Sequence, residues 1–317
     1  MWSRLLLLAP LMLAGSAGAA GAAGAAGATE PASRIAVGPG RPITLPSQAA
    51  RIAHDGDTIA IDPGTYTDCA IWRQRGLRIE GAGPGVVIRD KICAGKAIFV
   101  VAGDGITVAN LTLSGARAPT RNGAGIRAEG AGLVVENVRF LDNEDGILTA
   151  NTPDITLRVA GSDFVGNGSC AAECAHAIYA GHIRALRVEG SRFFDTREGH
   201  HIKSRALETT IVGNVIEDGP QGTSSYLIDI PNGGTTLIEG NRMEKGPRSQ
   251  NPGTAISVGA EGAKNPTLSL VVRNNRFVND QAGPTVFVRN LTAADARLSG
   301  NVLTGAVQPL EGPGTVQ

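Results

Sequence analysis

The residues best placed for chemistry lie in one short stretch, Gly199-His200-His201-Ile202-Lys203-Ser204-Arg205. His201, Lys203 and Arg205 are alternate residues, so in an extended strand they share one face, roughly 7 Å apart. A His, a Lys and an Arg so placed form a cradle for an anionic sugar, with the imidazole able to carry a proton. The chain has 24 arginines and only five lysines, so Lys203 is not its default cation. Other groups suit less demanding roles. His176 and His182 flank a strand without a partner spacing and read as turn residues. Asp142, Glu144 and Asp145 make an acidic turn that could take calcium, although turn chemistry alone explains such a cluster. Arg248 lies in the long loop 244–254, which could fold over a groove.

The element that must position these residues is a repeat. An apolar residue or Thr, an aliphatic residue two later, Asn or Gly two later again, and an apolar residue after three more recur along the chain. Copies start at Leu77, Ile106, Leu133, Leu157, Leu186, Thr209, Thr236, Leu270 and Ala296, spaced 23 to 34 residues apart. That spacing is too irregular for helical repeats. Alternation inside each copy is that of a strand, and a second strand follows each first one, as in Gly125-Ile126-Arg127-Ala128, Ala177-Ile178-Tyr179-Ala180 and Leu227-Ile228-Asp229-Ile230. No such coil can bury its apolar side alone, so copies must stack. Stacking at about 4.8 Å brings Tyr179 and Asp229 beside Lys203, with Phe99, Arg127, Leu148, Ser257 and Phe287 in the same outward column. At an effective dielectric of about 20, the attraction of Asp229 for Lys203 outweighs the repulsion of a single basic neighbour roughly 7 Å away by about 1 kcal/mol. On that ground Lys203 looks like a carboxylate clamp, and His201 or Tyr179 like the proton carrier. The plain alternative is a cross-strand ion pair worth under about 1 kcal/mol. Hydrolysis fits poorly, because no paired carboxylates line these columns.

Composition narrows the rest. Charges balance at 29 against 29, so no global field draws nucleic acid. Glycine numbers 43 of 317 and aromatic residues are 4%, so the core must be aliphatic. Residues 1–19 read as a secretory signal, with nine apolar residues from Leu5 to Leu13, too few to span a bilayer. A Gly/Ala-rich linker follows over 20–33, and one domain over 34–317. The expected location is periplasmic or secreted, with no membrane span and a monomeric state. Four cysteines suit an oxidising compartment. Cys69 and Cys93 lie 24 apart, close to one coil, and Cys170 and Cys174 can close a small loop, so these two pairings are expected.

Residues 55–301 resemble the secreted, pectin-lyase-like parallel β-helix proteins, and Gly56 to Tyr66 is similar to the first coil of many of them. The resemblance implies an all-β chain: a right-handed, single-stranded parallel β-helix of about nine coils, with a short capping helix over 48–54. His201-Ile-Lys-Ser-Arg followed by Ile211-Val-Gly-Asn214 resembles the catalytic-lysine segment of the chondroitinase B and alginate lyase family. That second resemblance implies Lys203 as the base removing the proton next to a uronic carboxylate. Where the family carries an assisting Arg one coil later, this chain has Asp229 and Asn232, and the family's calcium-holding glutamates are not evident. The expectation is therefore a lyase or C5-epimerase on anionic, uronate-containing polysaccharide. Lys203, His201 and Tyr179 would be catalytic, and Arg205, Asp229, Asn232 and Arg248 would bind substrate. No cofactor is required, calcium being the one candidate. The competing expectation is a non-catalytic glycan-binding or envelope-structural protein.

Overall fold

The computed structural model describes residues 32–171 and 173–317. The signal expected at 1–19 and the linker up to residue 31 lie outside the described residues. Each repeat forms short strands because its apolar residues alternate, as in Leu133–Glu136, where Leu133 and Val135 are buried and Val134 and Glu136 are not. All the copy starts from Ile106 to Ala296 pair in register, each beside its successor. Stacking yields one twelve-strand and two ten-strand parallel sheets. The chain is a right-handed parallel β-helix of about eleven turns rather than nine. The additional turns lie at the ends, where strands such as Arg34–Val37 and Val307–Glu311 do not carry the repeat.

The capping helix is present over Pro46–Ile52, slightly earlier than expected. Pro46 fits its first turn, where a missing N–H removes no hydrogen bond. The Gln48 side chain accepts the backbone N–H groups of Thr44 and Leu45, and Ala49, Ala50 and Ala53 close the first coil. Cys69 pairs with Cys93 across adjacent coils, Cα to Cα 5.5 Å, and Cys170 pairs with Cys174 across a small hairpin.

Two side-chain ladders run through the stack. Phe140, Phe164 and Phe193 lie face to face with ring centres 4.6 Å apart. At one corner, Asn241 accepts from the backbone N–H and side-chain amide of Asn214, and donates to Ile211 O and Asn275 Oδ1. Coil length can vary between these positions because the ladders fix the corners and leave the loops free.

The sheet holding Ile202–Ser204, here called the groove sheet, departs from simple alternation. At the start of three of its strands two consecutive residues face inward, Gly125 with Ile126, Gly146 with Ile147, and His201 with Ile202. A Cβ placed on Gly125 or Gly146 would meet Phe140 or Phe164 at 2.8 Å, so these positions point into the core where the chain turns the corner. The expected outward register also slips at both ends. Phe99 pairs with the inward Ile126, and Val288 rather than Val286 pairs with Ile256, which puts Val100 and Arg289 outside and buries Phe99 and Phe287. The segments Ala97–Val101 and Thr285–Asn290 are buried at almost every position and carry no alternation that could set the register.

Candidate active site

Lys203 projects from the groove sheet between Tyr179 and Asp229, while Ile202 and Ser204 on either side are buried. Its Nζ lies 3.5 Å from Asp229 Oδ2 and 3.3 Å from Glu261 Oε1. Arg205 grips the same glutamate with two donors, Nε to Oε2 at 2.9 Å and Nη2 to Oε1 at 2.6 Å. Both cations stand over the Tyr179 ring, 5.8 Å and 5.0 Å from its centre. Glu261 comes from a turn after the strand Thr254–Val258, where its N–H donates to Pro231 O and Asn265 N–H to Asn232 O. The turn is thus pinned to the neighbouring coil, and Glu261 is the part left over the groove.

Behind Lys203 lies a layer of stacked rings. His200 stacks on His176 at 4.6 Å and on Tyr226 at 5.0 Å. His200 Nδ1 accepts the backbone N–H of Tyr226, and His176 Nδ1 accepts that of His200. With Nδ1 committed as acceptor, the neutral imidazole carries its proton on Nε2. His200 Nε2 faces Asp229 Oδ2 at 3.4 Å. Burial, then the charges of Lys203 and Lys245, hold His200 well below the usual imidazole range. Burial pushes the Asp229 carboxyl up to about 6, against the pull of Lys203. Asp229 Oδ1 has no partner among the described residues. The carboxyl so raised titrates nearer to neutral pH than an ordinary aspartate, while the imidazole beside it stays neutral there.

His201 is a correction. It was expected on the outer face with Lys203, but its ring is fully buried. Nδ1 meets Thr196 Oγ1 at 2.7 Å, Nε2 meets Asp218 Oδ1 at 2.9 Å, and the ring edge faces Phe193. Burial pushes Asp218 up, yet bonds and charge from His201, Lys245 and Ser224 outweigh it and hold the carboxyl below its ordinary value. This buried knot shapes the corner and is out of reach of a ligand in the groove. Tyr179, Lys203, Arg205 and Asp229 are brought together as the column predicts. Asn232 is fully buried below the Glu261 turn, and among the described residues neither its Nδ2 nor its Oδ1 has a partner. Arg248 is not brought to Lys203; its side chain bonds Gln221.

Sequence reasoning passed over His200 and Glu261 and gave His176 a turn role. The signal for the histidines was available. Once Ala177 and His201 occupy one column, the residues before them, His176 and His200, must occupy the next, and both point outward where their successors point in. Glu261 carried no signal, because its turn belongs to no repeat.

No family model matches the chain, and no curated protein matches it. Solved structures do. An alginate lyase from Paenibacillus sp. str. FPU-7 superimposes with a TM-score of 0.52 at 16% identity, over 87% of this chain and 99% of its own. The pectate lyase Pel9A follows at 0.51 and 15% identity, over 92% of this chain and 78% of its own. The fold is the pectin-lyase-like parallel β-helix. ORF18 of Geobacillus virus E2, at 0.50 and 15% identity, shares it over 81% of this chain and 52% of its own. A pectin-lyase-like β-helix is a scaffold, and the site on it has to be argued from its own residues. Among the described residues no helix is long and apolar enough to cross a membrane.

Proposed function

We propose that the Lys203 groove binds uronate-containing polysaccharide and removes the proton next to the sugar carboxylate, as a lyase or a C5-epimerase. The observation that carries this reading is the hold of Lys203 and Arg205 on the Glu261 carboxylate above the Tyr179 ring. The two cations make a carboxylate socket, and a two-donor arginine grip is the strong, oriented form of that contact. A substrate carboxylate displaces the Glu261 side chain and takes its donors. Neutralising that carboxylate acidifies the adjacent C–H, the step a lyase and an epimerase share. Arg205 then keeps the carboxylate, and Lys203, once it has passed its own proton to Asp229, is the base that takes the ring proton, with Tyr179 the hydroxyl beside it. Asp229 touches both Lys203 and His200, so it can relay the proton away from the groove.

A glycan-binding protein without turnover is the second reading. The salt bridges of Lys203 to two carboxylates favour it, since they are the arrangement of a clamp. Incubation with a panel of oligouronates in D2O separates the two. Unsaturated product marks a lyase, deuterium at C5 without chain cleavage marks an epimerase, and binding without either leaves the clamp alone. Two disulfides fit a periplasmic or secreted location, where such polymers occur.

A further inference from the structure

Within the acidic turn, Asp142 and Glu144 are structural. Asp142 pairs with Arg117 and Arg197, and Glu144 Oε2 accepts the backbone N–H groups of Ala118 and Gly123. Asp145 differs. It is fully buried, its Oδ1 accepts the His176 backbone N–H at 2.7 Å, and its Oδ2 has no partner among the described residues. Burial raises this carboxyl well above the ordinary range. It lines a cavity of about 200 Å³ in which Arg127, Leu148 and Tyr179 form the sheet side. Thr120 flanks the cavity on one side and Cys174, in the disulfide-closed hairpin, on the other.

Arg127 repeats the pattern of Asp145. Its Nε is buried without a hydrogen bond, and the nearest carboxylate, Glu129, stands 3.5 Å away. A ligand with matching polar groups removes the cost of leaving two such atoms without a hydrogen bond. Leu148 and the Tyr179 ring give the cavity apolar surfaces on which a sugar ring can lie, and most of the remaining lining is polar. The register runs Arg127, Leu148, Tyr179, Lys203, so the cavity opens on the same groove, and Tyr179 lines both positions. Three strand spacings separate Arg127 from Lys203, roughly 14 Å.

We propose that this cavity is a second sugar position of the groove, taking a uronate ring with its carboxylate on Arg127 and a hydroxyl on Asp145. The proposal rests on the reading of the Lys203 groove as a uronate site. Its test is calorimetric binding of oligogalacturonates and oligomannuronates of increasing length, from dimer to hexamer. Wild type should gain about tenfold or more in affinity once the oligomer is long enough to reach Arg127. Arg127→Met should abolish that gain and leave dimer affinity intact. Asp145→Asn, which keeps an acceptor for the His176 N–H, should reduce it in a chain of unchanged melting temperature. Lys203→Ala should weaken every length and preserve the gain. Persistence of the gain in Arg127→Met overturns the second position and leaves the Lys203 reading standing. An effect of Arg127→Met with none from Lys203→Ala upholds the cavity as a uronate position and removes the Lys203 reading. Wild type that binds no oligouronate at any length overturns both.

Discussion

Glu261 already occupies the socket that a substrate carboxylate needs, so it competes with any anionic ligand. Glu261→Gln keeps the shape and removes the charge; affinity for a short oligouronate should rise about five- to tenfold, read as a lower Kd or KM. An unchanged value would mean that the glutamate is not displaced on binding. For Lys203 the sequence suggested an exposed pair of little energetic weight, but the structure corrects this. The Lys203 side chain is 13% exposed and that of Asp229 4%, so removing the cation strands a buried carboxylate. Lys203→Ala should lower kcat about a hundredfold or more. Its stability loss should be about 1–3 kcal/mol at pH 8 and much less at pH 5, where Asp229 takes up a proton instead. Asp229 also sets the sign of a wild-type effect. Its folded pKa of about 6 exceeds the ordinary aspartate value of 3.8, so the native state binds the proton more tightly than the unfolded chain. Stability therefore falls as pH rises from about 4 to about 6, by up to about 3 kcal/mol, with Lys203 and Arg205 opposing the trend and Glu261 adding to it. Asp229→Asn should flatten that part of the melting-temperature profile. It should also erase any rise of kcat/KM through pH 6.

At the scale of the element, the same alternation that made the strands legible hid part of the site. Leu157 with Val159 and Leu186 with Val188 mark the inside of their coils without ambiguity, because Arg158 and Arg187 stand between them. Lys203, Tyr179 and Asp229 were placed correctly in the column by that rule. The rule breaks where the chain turns a corner and buries two residues in succession. There the pair His200 and His201 is ambiguous by sequence, and strict alternation chose the one that packs against Phe193. Burial of this histidine is decided by contacts with Thr196 and Asp218, 5 and 17 residues away, which the alternation within one strand does not report. The asparagine ladder is a more local device. Asn241→Ala leaves the Asn214 donors and Ile211 O without partners in a buried corner, so it should destabilise the fold by about 2–4 kcal/mol. A chemical denaturation midpoint measures this; a loss under half of that range would mean that the corner holds without its ladder.

Across the whole molecule, coils touch mainly their neighbours, and stability is shared along one dimension. The last coil is the weak end: Val302 and Val316 are 53% and 55% exposed, whereas the helix Pro46–Ile52 covers the other end. Hydrogen exchange should therefore be slowest in the middle coils and fastest over 302–316, and uniform protection would contradict a fraying end. The architecture was legible because a repeat advertises itself many times. The groove was only partly so, because Glu261 and the cavity at Asp145 depend on loops that occur once. The in-register stack has a further consequence for how such a chain can change over generations. Arg127 and Lys203 are separated by whole coils, so duplicating or deleting one coil between them moves the two anchors by one strand spacing and leaves each anchor's surroundings intact. The groove is a ruler with fixed graduations. Its reading can be reset by unequal recombination of a short stretch of DNA, and the length of polymer it prefers would then shift in steps, never by fractions of a step.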